Sequence, residues 1–504
     1  MFREWLDNPI FIKHVRSRLR PQALGTSVAV TFLICLCIMY GTYQSSSFSS
    51  PDGFAALIVL QFVLLAIMGS TQVGASVATA RSSGILDFHR VSPQSPLELA
   101  LGFLFGAPIR EYLLTALTMP FMLFCVMMGY PDFRDLFQIE LLLFFTAVTL
   151  HAISLVGGLA MKGTMTGQNA LGFTIVIGIF VVGPLFGAFR WLTGLLRGET
   201  HLDLFFLPLP WLAFVILHMA VPLTVFMIAA TRKMESERLH GLTKPQALAS
   251  MATLGLLAVG GVTNWDGDGA YQMFVVYALA VGGMVFIGLS TPSQAEYEKG
   301  LRRARKLGRP GVPIWSDLAP NRPAVAVMCG ILLAAGSIVG TWLDETNGNG
   351  RGVPSQAGFS LSIAVAVLVV AYFGLAMQYF LLRFGRRSAN YFGLFLFVAW
   401  ALPLVLGIIT IASIGPRGGD PRPATIFSAT PIVGIAAASG VFANEAGDAP
   451  AMVSLTLALL FAFVFNMLYV RAVRQSKSRV EAADPEKLEV DPMLAAPEPA
   501  AAPA

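Results

Sequence analysis

Charge is what this chain has least of: only 12% of its 504 residues are Asp, Glu, Lys or Arg, against 55% hydrophobic. So little charge cannot coat a soluble body of that length. Cysteine is scarcer still. All four, Cys35, Cys37, Cys125 and Cys329, fall inside apolar runs, where each reads as a small hydrophobe, and neither a disulfide framework nor a copper site is expected. The histidines, among them His89, His151 and His218, show no metal-ligand spacing, so no metal site is predicted. No Gly-x-x-x-x-Gly-Lys-Ser/Thr loop occurs, which excludes the usual phosphate cradle for a nucleotide. The opening MFREWLDNPIF has no apolar core behind its charges and no small-residue cleavage site. A removable signal peptide is therefore not predicted, and the first span is expected to target the chain. No acid/base pair, nucleophile or metal cluster converges, so the chain is not expected to be an enzyme.

What is present is long and apolar. Runs such as Ala23 to Tyr40, Phe54 to Ala80, Tyr391 to Ile414 and Met452 to Val470 each supply the roughly 20 residues that cross a ~30 Å hydrocarbon core as helix. They are continuous and lack period-two alternation, which excludes a barrel. The net charge of +5 comes from cations beside these runs. That placement describes topology in a lipid bilayer and not a nucleic-acid surface. The fold class predicted is an all-α polytopic membrane protein with about 12 transmembrane helices in two six-helix halves.

Residues 1–22 read as an amphipathic entry helix. Asn8 caps it, Pro9 takes its first position, and Phe11, Ile12, Val15 and Leu19 share a face opposite Lys13, Arg16 and Arg20. Such a helix lies in the headgroup plane on the cytoplasmic side. A first transmembrane domain, 23–231, follows, with a polar segment at 81–100 between its second and third spans. There Ser82 and Ser83 are expected to cap a short helix through Ile85, Leu86 and Phe88, which Ser92-Pro93 stops. Ser95-Pro96-Leu97-Glu98 is a capping box that starts the next helix. Two short helices joined by a stiff corner make a lever. Gly106-Ala107-Pro108 is expected to break the following run, since 97–130 as one helix would measure ~50 Å. Spans at about 136–161 and 169–189, exterior short helices over 190–206, and a span at about 210–230 complete this half.

Residues 232–245 are a cytoplasmic linker, and 246–475 a second transmembrane domain with a basic cytoplasmic loop at 291–323, where six Lys or Arg fall between Lys299 and Arg309. Lys244-Pro245-Gln246-Ala247-Leu248 echoes Arg20-Pro21-Gln22-Ala23-Leu24. Counting 424–443 as a span would move Arg471, Arg474, Lys477 and Arg479 to the outside, so it reads as re-entrant. Residues 476–504 read as a disordered tail. Both termini are expected on the cytoplasmic side of the cell membrane. Within the spans, Gln61, Gln72, Gln378 and Asn466 suit helix-to-helix hydrogen bonding or a polar passage. Glu140 and His151, eleven residues apart on one face, are the nearest approach to a proton relay.

The first half resembles the permease subunits of ABC-2 type exporters. Their entry helix commonly reads Asn-Pro-x-x-x-Lys-x-x-Arg, matched by Asn8, Pro9, Lys13 and Arg16, and their segment after the second span is matched by Arg81, Gly84, Leu86, Asp87, Ser92, Pro93, Ser95, Glu98 and Gly102. The chain departs from the pattern at Ala80, Ile85 and Phe103. The resemblance implies that 81–100 is a coupling segment seated on a separate ABC ATPase subunit, which binds the ATP, while this chain carries no cofactor and forms the export path. It also implies a fused pair of transmembrane domains, with a homodimer the other arrangement. An ion-coupled secondary transporter and a non-transporting membrane scaffold are the competing readings.

Overall fold

The computed structural model describes residues 8–45, 51–129, 131–160, 201–237, 239–261, 270–341, 356–414, 421–439 and 448–482. Almost every described element is a helix. In chain order α1 is Pro9–Arg18 and α2 Pro21–Ser45, while Pro51–Gln61, Phe62–Met68 and Gly69–Ser82 run on without a break as α3. Then come α4 Ile85–Arg90, α5 Pro96–Gly106, α6 Ile109–Met127 and α7 Phe133–Ala160. A two-stranded antiparallel hairpin, β1 His201–Leu204 and β2 Leu207–Pro210, leads into α8 Trp211–Glu235. After it lie α9 Lys244–Gly260, α10 Ala270–Ser290, α11 Gln294–Lys306, α12 Arg322–Gly340 and α13 Gln356–Phe384. The chain closes with α14, formed by Ser388–Leu396, Phe397–Ala401 and Leu402–Ile414, then α15 Pro421–Ser428, α16 Pro431–Ala438 and α17 Ala449–Ala482.

Ten described helices are long and apolar enough to cross a membrane, so this is an all-α, multi-pass membrane fold. Two expected spans are missing from that set. Helix α9 has 17 residues, about 25 Å, and 169–189 lies outside the described residues, as do 190–200. The break at 106–108 falls as expected, between α5 and α6. The described part of the 424–443 segment, up to 439, lies in two helices of eight residues each, and eight residues reach only about 12 Å; 440–443 lies outside the described residues.

Several boundaries move. The exterior element is expected to be helical up to 206, but from 201 it is the hairpin. Its turn residues Phe205 and Phe206 both have positive φ, 49° and 72°. Phe205 donates its N–H to the Gly260 carbonyl at 2.9 Å. A β-carbon at Gly260 would come within 2.6 Å of that ring, so glycine at the end of α9 seats the hairpin tip. The linker shortens to 236–243 because α8 runs through Glu235, and α17 continues to Ala482, making 476–482 helix and not tail. The first-domain boundary at 23 falls inside α2.

Across the first half, α3 and α7 cross closely at Gly74 and Gly158, where a β-carbon on Gly158 would meet the Gly74 carbonyl at 2.6 Å. Segment Phe62–Met68 of α3 is a π-helix, which leaves carbonyls free of the i−4 ladder. His151 of α7 uses one, its Nε2 lying 2.9 Å from the Leu65 oxygen. A carbonyl can only accept, so Nε2 donates and Nδ1, 3.3 Å from the Tyr112 hydroxyl, is the acceptor. Ser154 Oγ donates to the Ser70 carbonyl at 2.5 Å. Glu140 has Gln61 as its hydrogen-bonding neighbour. Its partner is not His151, which sits about 16 Å further along the helix. Gln61 and Gln378 both tie helices: Gln61 Nε2 donates to Thr118 Oγ1 at 2.7 Å, and Gln378 Oε1 accepts from the Asn321 N–H at 2.7 Å.

Candidate functional site

The lever forms where α3 leaves the bundle. Ser82 and Ser83 do not cap the next helix; both hydroxyls donate backwards to the Thr79 carbonyl, at 3.1 and 2.8 Å, and finish α3. Gly84, at φ 74°, starts α4 instead. A β-carbon there would meet nothing within 4 Å, so glycine is required by the left-handed backbone and not by space. Leu86, 1% exposed, anchors α4 in the same core cluster as Met234, Ala230, Leu99 and Ile10. At the far end, the Ser92 hydroxyl donates to the His89 carbonyl at 2.6 Å, and Pro93 follows in the turn. The capping box at the start of α5 is complete: the Ser95 N–H donates to Glu98 Oε2 at 2.9 Å and the Glu98 N–H to Ser95 Oγ at 3.2 Å.

One residue outside the expected set holds this piece to the bundle. Arg90 donates Nε to the Met234 carbonyl at 3.0 Å and Nη2 to the Lys233 carbonyl at 2.9 Å. These are carbonyls of the last turn of α8, which have no partner inside the helix. Its third nitrogen, Nη1, meets Asp87 Oδ1 at 2.6 Å. Asp87 is therefore an orienter of Arg90, and Arg90 a cap for α8. Beside it, Arg81 pairs with Glu237 just beyond α8. Arg90 escaped the sequence reading because its partners are backbone atoms 143 and 144 residues away, which no local pattern displays.

The entry helix packs on the lever's second arm. Asn8 Oδ1 accepts from the N–H groups of Ile10 and Phe11, at 2.9 and 3.3 Å, while its Nδ2 donates to the Glu98 carbonyl of α5 at 2.7 Å. One amide thus caps α1 and fastens it. Gly102 and Gly106 make room: a β-carbon at Gly102 would lie 2.8 Å from Asn8 Oδ1, and one at Gly106 3.1 Å from Phe11 Cα. The seated face is Ile10 and His14, both buried, while Phe11, Ile12, Val15 and Leu19 are only half-buried and Lys13 and Arg16 are exposed. The face buried against protein is thus turned from the apolar stripe predicted, which stays available to lipid. His14 meets the Phe103 ring edge-on at 5.5 Å. Burial, then Arg18 and Lys13, pushes its imidazole down to about 4. His89 of α4 is also lowered, by burial and then by Lys13, so the entry helix and the lever feel one another.

Between the exposed polar residues Ser82, Ser83, Asp87 and Glu98, the lever also turns large apolar side chains outward. Phe88 is 71% and Val91 83% exposed, flanked by Ile85 and Leu97, also exposed. Single exposed hydrophobics need no explanation, but four on one short corner form a ridge. In the second half the corresponding segment is different. Helix α11 has its own capping box, Ser293 with Glu296, and buries Tyr297, Gly300, Leu301 and Ala304. It exposes Lys299, Arg302, Arg303, Arg305 and Lys306, with Arg309 beyond. The return stretch is pinned from beneath by Lys244, fully buried, whose Nζ donates to the carbonyls of Ile314, Ser316 and Pro320 at 3.0, 2.7 and 3.3 Å. Burial pushes that amine down to about 8, with Asp317 opposing.

Among the described residues no group of three or more His, Cys, Asp or Glu is placed to hold a metal. No protein-family model matches the chain, nor does any curated protein or solved structure.

Proposed function

We propose that the chain is the membrane-spanning permease subunit of an ABC-2 type exporter, with the lever seated on a separate ATPase subunit that binds the ATP. The observation that carries this reading is the apolar ridge of Phe88 and Val91 on a corner whose rear is fixed to α8 by Arg90. A partner pressing on the ridge acts on three rigid connections at once: Leu86 into the core, Arg90 into α8, and Asn8 through α5 into the entry helix. The chain itself performs no chemistry in this scheme. Alternating access follows from the differential contact of the ATPase with the lever in its nucleotide-bound and free states. Two six-helix sets in one chain serve as the paired transmembrane domains, with both termini on the ATPase side of the cell membrane and an amphipathic or lipid-linked molecule moved outward.

The test is affinity purification of the tagged chain in mild detergent from its native membrane, scoring co-purified ATP hydrolysis. Wild type is expected to bring down an ATPase, and Phe88→Glu with Val91→Glu to lose it by tenfold or more, about 1.4 kcal/mol. Leu307→Glu with Trp315→Glu, on the second lever, is expected to retain it. An intact wild-type chain that brings down no ATPase removes the motor and overturns the reading.

A further inference from the structure

Helices α11 and α17 meet at the point where the described chain leaves the bundle. Val480, near the end of α17, packs in one cluster with Tyr297 and Leu301 of α11 and Leu382 of α13. Arg479 adds two polar ties: its Nη1 lies 3.7 Å from Glu298 Oε1, and its Nη2 donates to the Leu382 carbonyl at 3.2 Å. The exit of the chain after Ala482 is therefore fixed beside α11.

The outward face of α11 suits an acidic ligand. Lys299, Arg302, Arg303 and Lys306 recur at helical spacing and fall within about 100° of one another, on the side opposite the buried Tyr297, Leu301 and Ala304. All four are exposed, and among the described residues none of them has a carboxylate partner. The acids of the same helix are committed elsewhere: Glu296 closes the capping box, and Glu298 meets Arg479 and accepts from Gln294 Nε2 at 2.8 Å. Leu307, Ile314 and Trp315, between 52% and 62% exposed, give the cationic row an apolar margin.

The sequence beyond Ala482 carries the matching pattern. Asp484, Glu486, Glu489, Asp491 and Glu498 stand against one cation, Lys487, and Leu488, Val490, Met493 and Leu494 are interleaved with these acids. The 13 residues of α11 measure about 20 Å. Glu489 is seven residues past Ala482, and seven extended residues reach at most about 25 Å, so the acids can cover the whole row. We infer that 484–494 docks on the outward face of α11, its carboxylates over the Lys/Arg row and its apolar residues over the margin at Leu307, Ile314 and Trp315. Lipid headgroups offer the same charge, but the row lies opposite the face that packs on α13 and α17, and the tail has the advantage of its tether. A short linker raises its effective concentration to the millimolar range. The inference needs no ATPase partner and stands apart from the exporter reading.

Zero-length coupling by a water-soluble carbodiimide tests it on the full chain in phosphatidylcholine nanodiscs, with isotope-labelled and unlabelled chains mixed and the links located by peptide mass spectrometry. Amide links from Lys299 or Lys306 to Glu486, Glu489 or Asp491 are expected within one chain, and they should fade at high salt. Acetylation of Lys299 and Lys306 by an amine-reactive ester is expected to rise about fivefold when Asp484→Asn, Glu486→Gln, Glu489→Gln and Asp491→Asn are combined. Links found only between copies, or acetylation that the combined variant leaves unchanged, overturn the assignment. Protection that appears only when phosphatidylglycerol is added to the nanodiscs also overturns it and gives the row to lipid headgroups.

Discussion

The two lever segments begin alike and end differently. Each leaves a span, closes a Ser/Glu capping box and presses one apolar face into the bundle, at Leu86, Leu99 and Leu104 in the first and at Tyr297, Leu301 and Ala304 in the second. The first then turns apolar side chains outward and is fixed by one arginine from its own surface. The second turns a row of cations outward beside exposed Leu307, Ile314 and Trp315 and is fixed by a lysine from beneath. A surface that must meet a protein partner gains from desolvating Phe88 and Val91, whereas a row of Lys and Arg is suited to lipid headgroups and topology. The same architectural position therefore carries two surface chemistries.

The sharpest way to break the comparison is at the two anchors. Lys244→Met leaves three carbonyls without their donor, and a loss of about 3 kcal/mol or more is expected, read as rapid amide exchange over 310–321 in the intact protein. Arg90→Ala uncaps two α8 carbonyls and is expected to cost about 2 kcal/mol, with exchange rising over 84–95 and the end of α8 while 310–321 stays protected. If both variants loosened both segments equally, the levers would be one cooperative unit and the contrast would fail.

Acid provides a finer probe. His14 is held at about 4 when seated, against an ordinary 6.5. Between those values the unseated helix takes up a proton that the seated one refuses. Seating is therefore intact above pH 6.5 and weakens by about 1.4 kcal/mol per unit as pH falls toward 4. Backbone amide exchange over residues 9–18, corrected for its intrinsic pH dependence, should rise over that window, and His14→Leu should flatten the response. Smallest of all is Arg81→Ala: Glu237 is half in solvent, so a change within about 1 kcal/mol is expected, visible as a slight fall in melting temperature. An effect as large as that of Arg90→Ala would move the first lever's anchor to the wrong arginine.

What the sequence displayed was local. The Ser95/Glu98 box, the Asn8 cap with Pro9, and the break at Pro108 each depend on residues within four positions, and each is where the pattern put it. The cap of α4 is expected at Ser82 and Ser83 because serine is the commoner cap, but the nearby Thr79 carbonyl diverts both hydroxyls and Gly84 takes the position. The hairpin was hidden by Phe205 and Phe206, which sit in a backbone region that aromatic residues seldom occupy. The Arg90 clamp, the Gly102 seat and the Lys244 anchor all join residues far apart in the chain, so burial and partnership decide them, and neither is written in spacing.

The π segment at Phe62–Met68 has a rotational consequence. An α-helix advances about 100° per residue, and a π turn accommodates a residue more than the α ladder would. The two ends of α3 are therefore out of phase: Gln61 faces Thr118 at one azimuth while Arg81 faces Glu237 at another. Forcing that segment into an unbroken α ladder with all its residues kept would swing Gln61 by about 100° relative to the lever. Every side chain would be retained, and the angular agreement between the two ends of the span would be lost.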